Sequence, residues 1–225
     1  MNLSKTNTRT RARASEDSST LMAKVMMLLS GSMIISAIGS YMGQGITSGW
    51  VLFFLVILLF AGIFGVAAMA ARSAALGVAG LAIWTFINGL VMGPAVNMYV
   101  QVLGGGVVTM SFLGTAAVMA ALGGYGALSG RDFSAMGRWL FLGLVGLIIV
   151  GVIGIFIGMG HTFNLLYAIG GMVIFAGYFI FDFWRIANSE NSDYNAVMYT
   201  MQVYLDFCNF LLSLLRFLTE VMGDD

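Results

Sequence analysis

Of 225 residues, 60% are hydrophobic and only 9% charged, the formal net charge is zero and the mean hydropathy is +0.94. A soluble domain carries roughly 25% charged residues to cover its surface, so most of this surface faces lipid rather than water. Zero net charge removes any global attraction to nucleic acid, and one cysteine with one histidine allows neither an internal disulfide nor a zinc site.

Residues 1–20 are rich in Ser, Thr, Arg and Asn and read as a disordered cytoplasmic tail, separate from a membrane domain over residues 21–225. The tail is no secretory signal, because it includes Glu16 and Asp17 and no short cleavable apolar core follows. A spanning helix needs about 20 apolar residues, and on that length the chain divides into seven spans. They cover roughly 22–41, 50–71, 76–97, 107–128, 138–158, 162–186 and 195–218. The first two are separated at the Gly-rich stretch from Tyr41 to Trp50, which aromatic residues bracket. Asn88, Pro94 and Asn97 are expected to end the third, and Gly158-Met-Gly-His161 separates the fifth from the sixth. His161 reads as a solvated interfacial residue, and the Gly39-x-x-x-Gly43 and Gly154-x-x-x-Gly158 spacings as helix-packing motifs.

Orientation follows from the basic residues. Lys5, Arg9, Arg11, Arg13 and Lys24 precede or open the first span. Arg72 lies between the second and third, Arg131 and Arg138 between the fourth and fifth, and Arg185 between the sixth and seventh. Only Arg216 falls at the opposite end, so the positive-inside rule puts the N-terminus in the cytoplasm and the C-terminus outside.

Ionisable groups inside spans are functional candidates by default. Asp206 sits near the middle of the seventh span, within a stripe of Tyr199, Gln202, Asp206, Asn209, Ser213 and Arg216. Their steps of three and four put them on one helical face, which lines a pathway or forms a hydrogen-bonded seam between helices. Asp182, in Phe181-Asp-Phe-Trp-Arg185, is either an interfacial partner of Arg185 or a second member of the same site. Asp182 and Asp206 are equally far from Tyr194, each about 18 Å from the turn at 1.5 Å per residue, so they can meet at one depth. Like charges so placed do not both ionise cheaply, and the two would share a proton as a pH-sensitive latch.

Tyr167-Ala-Ile-Gly-Gly171, Gly177-Tyr-Phe-Ile-Phe-Asp182 and the stretch from Val203 to Leu218 resemble the Bax inhibitor-1 (transmembrane Bax inhibitor motif) family. Phe86-Ile-Asn-Gly-Leu-Val-Met-Gly-Pro-Ala-Val-Asn97 is similar to its bacterial members. The resemblance implies an all-α, seven-transmembrane-helix bundle with the semi-polar seventh helix at its centre. It also implies a pH-sensitive calcium leak, gated by aspartates matching Asp182 and Asp206, with Arg72 near them, in a bacterial inner membrane. The second span here has no acidic residue, unlike some calcium-conducting members. The basic C-terminal tail of eukaryotic members is replaced by Gly223-Asp-Asp225.

Three readings follow. The first is a pH-gated cation leak, calcium above all, with Asp182 and Asp206 as transient ligands helped by Asn209 and backbone carbonyls and with no resident cofactor. The second, implied by bacterial relatives, is a protein that modulates a membrane-bound AAA protease through its N-terminal tail. The third, an intramembrane aspartyl protease, is disfavoured because Val203-Tyr-Leu precedes Asp206 where those enzymes resemble one another in Gly-x-Gly-Asp. The expectation is therefore a non-enzyme.

Overall fold

The computed structural model describes residues 3–158 and 160–223, with side chains from Ser19 onward except Ile155. Among the described residues the chain forms seven helices and no strand. They are α1 (Leu3–Gly43), α2 (Gly49–Arg72), α3 (Ala74–Leu103), α4 (Gly105–Leu128), α5 (Met136–Ile157), α6 (His161–Ala187) and α7 (Asp193–Met222). Six are long and apolar enough to cross a membrane: Ser19–Gly43 of α1, all of α2, α3, α4 and α6, and Met136–Gly154 of α5. The polar stripe keeps α7 out of that set.

The helix boundaries have local causes. Ser48 caps α2 by accepting from the Val51 N–H, and the Ser73 hydroxyl accepts from Leu76 at the start of α3. Gly104 and Gly158 adopt positive φ (85° and 72°) at the ends of α3 and α5, a backbone state that favours glycine. Hydroxyls inside the helices donate to carbonyls one turn back: Ser30 to Met26, Thr85 to Leu81, Thr115 to Ser111 and Thr200 to Ala196. Such bonds hide a polar side chain without a partner helix.

The helix α1 begins at Leu3, and residues 1–30 contain neither Gly nor Pro to oppose a helix. One expectation changes. Asn88, Pro94 and Asn97 do not end the third helix, because α3 continues through Pro94 to Leu103. Proline deprives the Leu90 carbonyl of its helical donor. That carbonyl instead lies against Gly43 of α1, where glycine leaves room for close backbone approach. Asp224 and Asp225, at the end expected outside the membrane, lie outside the described residues.

The chain divides into two compact units, each taking part of α3, α6 and α7. The first comprises Met1–Val91 and Arg185–Gln202. Its core is a close crossing of α1 and α3, with Gly39 against the Phe86 carbonyl, Gly43 against Leu90 and Gly89 against the Ser36 carbonyl. The Trp84 indole of α3 donates to the Leu59 carbonyl of α2 at 2.9 Å, and Lys24 pairs with Asp193 at 2.7 Å.

The second unit comprises Met92–Trp184 and Val203–Asp225. In it α4 packs on α6 through two glycines, Gly126 against the Ile180 backbone and Gly123 against the Phe183 ring. Phe207 and Phe210 of α7 meet Phe112 and Phe179, with ring centroids 4.9 and 5.5 Å apart. None of the residues from Asn195 to Glu220 is exposed, whereas α5 has no buried residue among those described.

Candidate functional site

Asp182 and Asp206 are both buried, 3% and 7% exposed. Each belongs to the second unit, and Tyr178 stands one turn before Asp182 on α6. The residues around Asp182 are held by α4. Gly126 abuts the Ile180 backbone and Gly123 the buried Phe183 ring, so the turn of α6 that carries the carboxylate is fixed from both sides. On α7, Tyr204, Phe207, Cys208 and Phe210 flank Asp206 and are themselves buried.

The rest of the stripe divides between the units. Tyr199 and Gln202 belong to the first, where Arg185 donates to the Gln202 side-chain oxygen at 3.0 Å and stacks over the Tyr199 ring at 5.2 Å. Tyr199 also hydrogen-bonds Ser189. Arg72 is the last residue of α2, is exposed, and belongs to the first unit, not to the unit of the aspartates.

Asn209, Ser213 and Arg216 line a cavity of about 360 Å³ in the second unit, with Tyr167 and Gly171 of α6 opposite. The Arg216 guanidinium lies 4.8 Å from the Tyr167 ring centroid. His161 is not simply solvated, since it pairs with Glu220 of α7 at 2.7 Å. Among the described residues no three His, Cys, Asp or Glu side chains gather to hold a metal ion.

Sequence reasoning missed Tyr178, Tyr167 and the Gly123/Gly126 pair. Tyr178 had a readable signal, standing four residues before Asp182 and so on the same helical face. The glycines had none, because Gly124 beside them meets nothing within 4 Å and looks the same in the sequence.

Comparison with known proteins shows the family. The family described as Inhibitor of apoptosis-promoting Bax1 matches residues 18–223. An uncharacterized membrane protein of Vibrio cholerae is 33% identical over 148 residues, 64% of this chain and 65% of that protein. Bax inhibitor 1 of Schizosaccharomyces pombe is 26% identical over 145 residues, 64% of this chain and 53% of the relative. A Golgi anti-apoptotic protein of vaccinia virus is 35% identical over 112 residues, 50% and 46% of the two chains. The matched regions span a little under two thirds of the length of the bacterial relative and about half of the other two.

Proposed function

The chain belongs to the Bax inhibitor-1 family, and from that premise we propose that it is a pH-sensitive cation leak of a bacterial inner membrane, with calcium as the permeant ion. The observation that carries the reading is the pair of carboxylates buried on α6 and α7 within one compact unit. In this reading Asp182 and Asp206 share a proton and hold the two helices together. Losing it leaves two like charges in a poorly hydrated site, which drives the helices apart or draws in a cation. The enclosure of α7 from Asn195 to Glu220 supports it as the seventh, central span, with its stripe facing the path. Two carboxylates with Asn209 and backbone oxygens are a sparse calcium shell, which suits an ion that must leave again. Arg72 would act as a counter-charge to the pair. The N-terminus is cytoplasmic in this reading, the process is transport rather than catalysis, and no resident cofactor is called for.

The test is calcium flux into proteoliposomes carrying a calcium dye, over a pH series, for wild type, Asp182→Asn, Asp206→Asn and the double variant. Asparagine keeps the size but does not ionise, so each single change should flatten the pH dependence near neutrality about as far as the double does. Single variants with the wild-type profile would sink the latch, and an unchanged double would remove both residues from gating.

A second reading, modulation of a membrane-bound AAA protease, is favoured by the helical start of α1 well ahead of its membrane-capable part. Deleting residues 1–20 should abolish protease binding in that case and leave calcium flux intact.

A further inference from the structure

Arg216 is the basic residue that the charge pattern leaves unexplained, at the end of α7 opposite the other cations. Its surroundings are specific. The guanidinium lies over the Tyr167 ring and borders two cavities of the second unit, of about 360 and 510 Å³, that share Ile148, Tyr167 and Arg216. The carboxylate one turn on, Glu220, is engaged by His161 at 2.7 Å. Among the described residues Arg216 itself has no salt bridge.

The cavity walls are two-sided in chemistry. The polar lining is Arg216 with Asn164, Tyr167, Asn209, Ser213 and Tyr99, while Leu144, Leu147 and Phe175 are prominent in the apolar part. Ser213 and Asn209 donate to carbonyls of their own helix, Ser213 to Asn209 and Asn209 to Leu205, and the Arg216 fork is the cationic donor that borders the space. A planar fork of five N–H groups matches a phosphate or carboxylate oxyanion and is held in place here by stacking on the phenol ring. A cation without a carboxylate, beside a space that is polar at one end and apolar at the other, fits an anionic amphiphile.

We propose that the Arg216 cavity binds a phosphate-bearing amphiphile, its phosphodiester on the guanidinium and its acyl chain along the Leu144–Leu147 wall. Asn209, Ser213 and Arg216 also belong to the stripe that the leak reading sets along the path, and the test below reads binding without flux, so either can fail without the other. The same phosphate chemistry is offered by a membrane phospholipid or by free phosphate, and the experiment separates them.

Native mass spectrometry of the full chain in detergent, with dioleoyl phosphatidylglycerol, dioleoylglycerol or inorganic phosphate added, reads the site directly. Wild type should retain phosphatidylglycerol and release dioleoylglycerol. Arg216→Gln should weaken retention by about tenfold or more, as loss of a charge-assisted fork implies, and Arg216→Lys by less. Leu147→Phe, which fills the apolar wall and leaves the charge in place, should also weaken it; this variant keeps the test informative if Arg216→Gln does not fold. Arg131→Gln, in the α4–α5 loop, should match wild type. Binding of inorganic phosphate that Arg216→Gln abolishes, with no lipid retained, would assign the site to free phosphate and overturn the acyl-chain half. Equal retention by wild type and Arg216→Gln, or equal losses in Arg216→Gln and Arg131→Gln, would overturn the proposal and leave Arg216 as a snorkelling side chain.

Discussion

Replacing Gly126 by alanine puts a methyl group where the backbone of α6 already stands. The new Cβ would lie 2.9 Å from the Ile180 carbonyl carbon and 3.0 Å from its Cα, with the carbonyl oxygen nearer still. Carbon atoms are comfortable at about 3.5–4.0 Å, so α6 must retreat by roughly half an ångström or more, and no rotamer change relieves a backbone contact. Over-packing of this kind costs about 1–3 kcal/mol, offset by up to ~1 kcal/mol because alanine favours a helix over glycine. A net loss of about 1–2 kcal/mol lowers the melting midpoint by roughly 2–8 °C for a chain of this size. Gly124→Ala, two residues away on the same helix with nothing within 4 Å, carries only the helix-propensity gain and should melt at or above wild type. Cys208 is the chain's single cysteine and is buried, so a thiol-reactive dye in detergent reports unfolding without any label being engineered. If Gly126→Ala melts with Gly124→Ala, the close α4–α6 contact does not carry the load assigned to it.

Trp84→Phe removes the indole bond to the Leu59 carbonyl and should cost about 0.5–1.5 kcal/mol in the same thiol assay; an unchanged midpoint would mean that packing alone holds α3 to α2. Asp132, outside the spans, accepts from the backbone N–H and the hydroxyl of Ser134, which hold its carboxyl below the usual carboxylate value. A depressed folded value gives stability that is present above the unfolded value and is lost as pH falls through the folded one, so its titration lies in acid. Asp132→Asn should therefore leave the pH profile of flux near neutrality unchanged, and a shifted profile would make Asp132 part of the sensor. Cysteine labelling should place position 131 in the cytoplasm; labelling from outside would reverse the orientation.

What could be read in advance followed from the strength of each signal. Long uncharged runs have few alternatives to a membrane span, so the apolar segments and most breaks between them were legible, as were Asp182 and Asp206 as exceptional groups. Pro94 misled because a proline is tolerated inside a long helix that close packing holds, and the glycine packed nearest the freed Leu90 carbonyl, Gly43, is far away in sequence. Arg185 showed the same limit. Gln202, whose side-chain oxygen accepts from it, and Tyr199, whose ring it faces, lie across the α6–α7 connection, where sequence proximity gives no hint of them. Interhelical partners depend on rotation about each axis, and a single sequence shows the stripe without showing what it faces.

The hydroxyls that bond back to their own helices bear on how the protein enters the membrane. Once Thr85, Thr115 and their like are satisfied one turn away, the helices that carry them present lipid with little unmet polarity. Each can leave the aqueous phase alone, with packing as a separate, later event. The seventh helix is under a different constraint, because Asp206 and Arg216 cannot be quieted by their own backbone. In the seven-span reading proposed above, its place in the bilayer would depend on companions already there. Synthesis from the N-terminus supplies them in the right order, because α1 to α6 all precede α7 in the chain.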